Sequence, residues 1–290
     1  MLVVTTPTGQ IGSKVLAGLV AAGVRVRAIA RDPARVEAAG PIEVIEGTHA
    51  DSSVVARALE GAEAAFWCVP PDETMSAPAR GYYLRFCRPL IEALPGSSVR
   101  QLVLVSIGGR GGPKASGPIG AALEVEEMLE STGVHLRALR CGYFMENLLS
   151  QVEMLRDRGN FAHPMRGDIA VPVCATRDIA ARAVELLLDR SWTGQMGVGV
   201  HGPTHLTLNQ MAEVMTRVLG RPIGYQEISE EDFRTVLLGF GASEVYAREL
   251  IDLFRAMAGG LHDAQPRTLD STTPTSFDLW CAETLRPAIA

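Results

Sequence analysis

Lysine is nearly missing from this chain: Lys14 and Lys114 are the only two among 27 basic residues. With arginine, alanine, glycine and valine abundant, the bias reads as high-GC coding, which points to a GC-rich bacterium, rather than as chemistry. Cysteine is scarce and unpatterned. Cys68, Cys87, Cys141, Cys174 and Cys281 are odd in number and form no Cys-x-x-Cys pair, which argues against a disulfide scaffold or a structural metal and for a reducing, cytoplasmic setting. An excess of positive charge is lacking too. A net charge of −6 and a pI near 5.6 give no phosphate-neutralising surface, so a nucleic-acid partner is set aside. Apolar runs are broken by Gly, Arg or Pro well short of the ~18 residues that a membrane span needs, and no basic leader precedes the first of them. Neither a membrane protein nor a secreted one is expected.

What is present is enough apolar material for a sizeable core: 47% of 290 residues are hydrophobic and mean hydropathy is +0.13, which fits one large α/β domain or one with a small annexe. Short Val/Ile/Leu-rich runs alternate with amphipathic stretches in the first half. That alternation predicts parallel strands joined by right-handed crossovers. Strands are expected at 2–5, 24–30, 42–45, 64–69, 101–106 and 134–139. Helices are expected at about 10–22, 53–59 and 82–94, and around Leu123 to Leu129 after a Gly-rich loop from Gly108 to Gly120. Six strands in doubly wound order result. Beyond Gly142 the rhythm changes to longer helices, at 147–158, 177–188, 209–219 and 230–254, with short strands between them. Gly239 to Gly241 and Gly259-Gly260 interrupt the last of these and suit either a helix end or a moving lid. The expected division is a dinucleotide-binding Rossmann domain over 1–142 and a smaller, mostly helical α+β substrate-covering region over 143–290.

The first strand runs into Thr6-Pro7-Thr8-Gly9-Gln10-Ile11-Gly12. Here free backbone NH groups and the helix dipole can hold a pyrophosphate. Gly9 lets the backbone approach the phosphates and Gly12 lets the helix pack on the sheet; Thr6 departs from the fingerprint's first glycine. Such a glycine pair also serves folds that bind nothing, and its place at the head of a βαβ unit is what favours the dinucleotide. Roughly 20 residues on, where an acidic residue would hold a ribose hydroxyl and an arginine a 2′-phosphate, the sequence reads Ala30-Arg31-Asp32-Pro33. Arg31 therefore points to NADP(H), with Arg35 as a possible helper. The alternative is a pair of solvated arginines beside a capping Asp32.

These residues resemble the NmrA-like branch of the atypical short-chain dehydrogenases/reductases, which includes quinone reductases, isoflavone-reductase-like enzymes and redox-sensing regulators. The resemblance spans nearly the whole chain. It rests on the phosphate loop, on Arg31-Asp32-Pro33, on Val44-Ile45-Glu46-Gly47 and on Gly61 to Phe66. It rests further on Arg140-Cys141-Gly142-Tyr143-Phe144-Met145-Glu146-Asn147, Arg177-Asp178-Ile179-Ala180, Leu219-Gly220-Arg221-Pro222 and Pro274-Thr275-Ser276-Phe277. It implies that Val69, Pro70 and Pro71 border the ribose and nicotinamide, that Ser106 ends strand five beside the ring, and that Cys141 to Phe144 pass over it.

No Tyr-x-x-x-Lys occurs, and where reductases of the resembled family often carry a lysine this chain has Ala122. The proton donor is therefore open among Tyr143, Tyr82, Tyr83, Ser106 and His163. Tyr143 and Phe144 read more readily as pocket walls, His163 as a surface loop residue, Cys141 as an inert small hydrophobe and Asp178 as a helix cap. Three functions stay open: reduction of a quinone or conjugated aromatic carbonyl, with secondary metabolism as its setting; a redox sensor without turnover; and a non-redox, cyclase-like catalyst. Phe66, Trp67, Tyr82, Tyr143 and Phe144 are expected to line a pocket for a small flat hydrophobic substrate. A homo-oligomer is compatible with the sequence.

Overall fold

The computed structural model describes residues 1–110 and 117–290, with 263 and 264 described by backbone alone. Lys114 and the middle of the Gly-rich loop, 111–116, lie outside the described residues. The first half alternates as its apolar runs require: β1 Leu2–Val4, α1 Gly12–Ala21, β2 Val26–Ala30, β3 Glu43–Glu46, α2 Ser52–Leu59, β4 Ala64–Trp67, α3 Ala79–Ala93, β5 Gln101–Ile107, α4 Gly117–Glu130 and β6 His135–Cys141. The second half adds β7 Tyr143–Phe144, α5 Val152–Arg158, β8 Asn160–His163, β9 Ala170–Cys174, α6 Thr176–Leu188, β10 Gln195–Val200, β11 His205–Thr207, α7 Leu208–Leu219, β12 Gly224–Glu227, α8 Glu230–Gly239, α9 Glu244–Ala258 and α10 Phe277–Trp280.

One parallel sheet organises the molecule, in the order β10-β6-β5-β4-β1-β2-β3. Successive side chains of a strand face opposite ways, and both faces are apolar. Leu2, Val4, Phe66, Val103 and Leu139 pack against α1 and α6, whereas Val3, Trp67, Leu102, Leu104 and Leu136 pack against α2, α3 and α4. The close crossing of α1 and α6 depends on Gly18, where a Cβ would stand 2.8 Å from Val184.

The seventh strand, β10, corrects the count of six. Its sequence, Gln195-Met196-Gly197-Val198-Gly199-Val200, carries glycine where β-branched residues would signal a strand. Both glycines have a steric cause. A Cβ on Gly197 would lie 2.2 Å from the Arg140 guanidinium, and one on Gly199 2.8 Å from Ser271. This strand and α6 come from beyond residue 142, yet they complete the sheet and its flanking layer.

The expected helix 230–254 is two helices. The chain turns at Gly241, with φ +87°, and Ser243 caps α9 by accepting from the Tyr246 NH at 3.0 Å. The expected helix 147–158 begins as a 3-10 turn over Met145–Gln151 before α5. A separate core, including Met145, Phe161, Met211, Met215, Phe254 and Trp280, holds this second half together beyond the carboxyl ends of the sheet strands. Among the described residues, no helix is long and apolar enough to cross a membrane.

Candidate functional site

In a doubly wound sheet the ligand crevice lies outside the carboxyl ends of the strands, where the order reverses between β1 and β4. At the end of β1, Thr6 takes the left-handed backbone, φ +50°, which the fingerprint's glycine would adopt without the ~1–2 kcal/mol that a Cβ costs there. Its carbonyl turns into the loop and accepts from the Gly9 NH at 2.9 Å. A Cβ on Gly12 would lie 2.1 Å from that oxygen, and one on Gly9 3.3 Å from it, so Gly12 must be glycine for this turn to form. Thr5 is fully buried and ties β1 to β4, its Oγ1 accepting from the Cys68 NH at 3.0 Å. Ile11 is buried while Thr8 and Gln10 are exposed, and no side chain caps the start of α1 among the described residues. Uncapped NH groups above a glycine cradle suit a pyrophosphate.

Arg31 follows β2, exposed, and its guanidinium makes no hydrogen bond or ion pair among the described residues. Its charge reaches His49 and Tyr82. Asp32 accepts from the Ala34 NH at 3.1 Å and caps a short 3-10 turn that carries the exposed Arg35. His49 was missed from sequence. It is 5% exposed and wedged against Trp67 and Phe86, with ring centroids at 5.3 and 4.7 Å. Burial, with a smaller push from Arg31, lowers its pKa to about 4. Arg31 and His49 thus follow the carboxyl ends of β2 and β3, near enough for the charge of one to act on the other.

Val69 and Pro70 are half-buried after β4 and Pro71 is exposed. Tyr82 donates to the Pro70 carbonyl at 3.0 Å, and burial pushes its phenol up to about 12. Its proton is committed to holding that loop. The Tyr83 phenol is likewise pushed up by burial. Ser106 belongs to the set of β5 side chains that face α4, and its hydroxyl donates to Glu126. Glu126 is completely buried and also accepts from Arg140 at 2.7 Å and Arg110 at 3.2 Å. Ser106 therefore serves a charge network in the helix layer. Ala122 lies one turn before Glu126 and is 3% exposed.

Phe66 and Trp67 do not line the crevice. Both are fully buried within the sheet, and the Trp67 indole donates to the Phe86 carbonyl at 3.1 Å. Cys141 is buried, and that burial pushes its thiol up, the state of an inert side chain. Asp178 does not cap its helix. Its carboxylate accepts from the Thr275 NH at 3.0 Å and the Thr275 hydroxyl at 2.8 Å, while the α6 terminus is capped by Glu146, which accepts from the Thr176 NH at 3.0 Å.

His163 is not a surface loop residue. It ends β8, paired with Glu227 of β12, and is 4% exposed. Its Nε2 lies 3.1 Å from the Tyr143 hydroxyl, and Phe254, Phe161 and Phe233 surround the ring at 5.0, 6.2 and 6.4 Å. Burial alone lowers its pKa to about 4, so the imidazole is neutral at pH 7. Burial also pushes the Tyr143 phenol up, with the Asn147 side chain hydrogen-bonding to it and pulling the other way. Phe144, the next residue of β7, packs on the α1 side of the sheet. The sequence named Tyr143 and His163 separately, and the fold brings them together.

The second half is tied over the crevice rim. Ser243 donates through its NH to the Glu73 carbonyl at 2.8 Å and through its hydroxyl to the Met75 carbonyl at 2.6 Å. Glu249 of α9 accepts from the Ala79 NH at the start of α3, 3.0 Å away, and Gln265 accepts from the Gly109 NH after β5 at 3.3 Å. Among the described residues, no group of three acidic, histidine or cysteine side chains is gathered for a metal.

The chain is 31% identical over 245 residues to a (4-alkanoyl-5-oxo-2,5-dihydrofuran-3-yl)methyl phosphate reductase of Streptomyces griseus, covering 82% of this chain and 80% of that one. It is 28% identical over 271 residues to quinone oxidoreductase 2 of Escherichia coli, covering 91% and 90%. A crystal structure of the NADPH-dependent quinone oxidoreductase of Escherichia coli, complexed with NADPH, superposes with a TM-score of 0.80 at 23% identity, over 98% of both chains. The model of the NmrA-like family matches residues 1–275, and the chain belongs to that family.

Proposed function

We propose that this protein is an NADPH-dependent oxidoreductase that reduces a quinone or a conjugated aromatic carbonyl. The observation that carries the cofactor choice is Arg31, an exposed guanidinium at the end of β2 with no partner among the described residues, where a 2′-phosphate would make a charge-assisted, bidentate pair. The loop from Thr6 to Gly12, with Thr8, Gly9, Gln10 and Ile11 between, holds the pyrophosphate. Val69, Pro70 and Pro71 border the nicotinamide ribose, and Cys141, Tyr143 and Phe144 flank the ring. Bound there, NADPH supplies a hydride.

In this reading, residues 1–142 hold the cofactor together with α6 and β10, and the rest of 143–290 shapes the substrate pocket over it. Phe144 supplies a flat apolar wall on the cofactor side, while the second half, tied down through Ser243, Glu249 and Gln265, excludes water. The substrate class draws on the quinone oxidoreductase and reductase relatives and on the aromatic surroundings of Tyr143.

Calorimetric titration with NADPH and NADH, followed by NADPH oxidation with a panel of small quinones, tests it. Tight NADPH binding with turnover supports the reductase. Tight binding without turnover would replace it with a redox sensor or a non-redox catalyst, and the absence of binding would mean that the left-handed Thr6 marks a loop without a ligand.

A further inference from the structure

We propose that the Tyr143 hydroxyl, oriented by His163, donates the hydrogen bond that recognises a carbonyl or quinone oxygen of the substrate. The proposal deepens the reductase reading and rests on it for the identity of the pocket. Its first support is position. Tyr143 stands two residues beyond Cys141, which is in register with Ile107 at the end of β5. Because side chains alternate along β7, Phe144 packs on the α1 side, while Tyr143 joins the core of the covering half. Tyr143 thus lies just beyond the strand ends, on the face of β7 turned to the covering half rather than to the α1 side.

The second support is an incomplete hydrogen-bond inventory. His163 Nδ1 is buried and unpartnered among the described residues, in a side chain that is 4% exposed. A neutral imidazole carries one N–H and one lone pair. If the proton were on Nδ1, a buried N–H would face the rings of Phe254, Phe161 and Phe233, and orphaned buried donors are rarer than orphaned acceptors. The favoured tautomer places the proton on Nε2, which donates to Tyr143 Oη. An oxygen that accepts from Nε2 has its own proton left to give, and among the described residues no other protein group takes it. A substrate oxygen completes the set.

The chemistry of the site selects that oxygen. Burial holds the phenol well above its ordinary pKa, so it keeps its proton at neutral pH and acts as a neutral donor. A neutral carbonyl acceptor among aromatic rings fits such a donor. A carboxylate or phosphate, which would call for an arginine, does not.

The test compares equilibrium binding of 2-methyl-1,4-naphthoquinone and 2-methylnaphthalene, equal in shape but for the oxygens, to the protein with NADP⁺ present so that nothing turns over. Wild type should prefer the quinone. Tyr143→Phe should lose roughly fivefold to tenfold of that preference, the range of one net hydrogen bond, while the naphthalene binds unchanged. His163→Gln, which keeps an N–H donor, should lose less than His163→Phe. An unchanged preference in Tyr143→Phe, with the variant folded by circular dichroism, would make Tyr143 a wall and overturn the proposal. A wild type that binds NADPH but shows no quinone preference would overturn it while leaving the reductase reading in place. Quinone preference without NADPH oxidation would do the reverse. Should Tyr143→Phe fail to fold, long-range nitrogen-proton spectra of wild-type His163 decide: protonation at Nε2 supports the proposal and protonation at Nδ1 overturns it.

Discussion

The carbonyl oxygen of Thr6 lies 2.1 Å from where a Cβ on Gly12 would stand, so the turn that opens the phosphate loop and the start of α1 are one steric unit. Gly12→Ala must push the Thr6 carbonyl aside. Overpacking of this kind costs about 1–3 kcal/mol, and each 1.4 kcal/mol is about tenfold in affinity. NADPH binding should weaken by roughly tenfold to a hundredfold in calorimetry. Thr6→Gly, which relaxes the left-handed backbone, should keep its affinity within about twofold. Loss of binding in Thr6→Gly would show that the threonine side chain itself holds the cofactor.

Arg31→Ala removes the guanidinium proposed to meet the 2′-phosphate. Charge-assisted bonds contribute about 1.5–3 kcal/mol, so NADPH affinity should fall by roughly tenfold to a hundredfold while NADH affinity barely moves. Equal losses for both would sink the assignment.

Three buried histidines, His49, His163 and His201, are each held at about 4 by burial. Their folded values lie below the unfolded value near 6.5, so the unfolded chain binds more protons between the two. Their stabilising contribution is complete above pH 6.5 and is lost as pH falls towards 4. Thermal melts from pH 7.5 to 4.5 should show a steep loss of Tm below about 6, and His163→Phe should make that slope shallower. A flat profile would show that these rings charge without unfolding the protein.

Glu126 is wholly buried between Ser106, Arg140 and Arg110. Glu126→Ala leaves Arg140, 12% exposed, without its carboxylate in the helix layer, while Arg110 keeps Glu130. Breaking one partner of a buried pair costs about 3–5 kcal/mol, which at about 2–4 °C per kcal/mol corresponds to a Tm lower by roughly 10 °C. NADPH affinity at temperatures where the variant is folded should be unchanged, because the network lies in the helix layer. A Tm within about 2 °C of wild type, less than 1 kcal/mol on the same scale, would mean that water reaches the site.

The first half of the fold was legible because each strand there is a short apolar run and each crossover a short amphipathic one. The turn from Thr6 to Gly12 was legible because a strand-to-helix turn depends on local order. Strand β10 was hidden by Gly197 and Gly199, whose reason is the distant Arg140 and Ser271. His163 was misplaced because its burial is decided by Phe233 and Phe254, some 70 to 90 residues away in sequence. The roles of Ser106 and Asp178 turned on partners, Glu126 and Thr275, that no spacing rule connects to them.

Completion of the sheet by β10 also bears on how the chain is made. Until residue 200 has been added, β10 cannot cover the edge of β6, and an open strand edge is a template for pairing with other chains. Arg140, which crosses Gly197 to reach Glu126, would at that stage be an uncovered charge on the same edge, and charged side chains discourage such pairing. A residue that stabilises the finished protein would then also act as a guard during its synthesis.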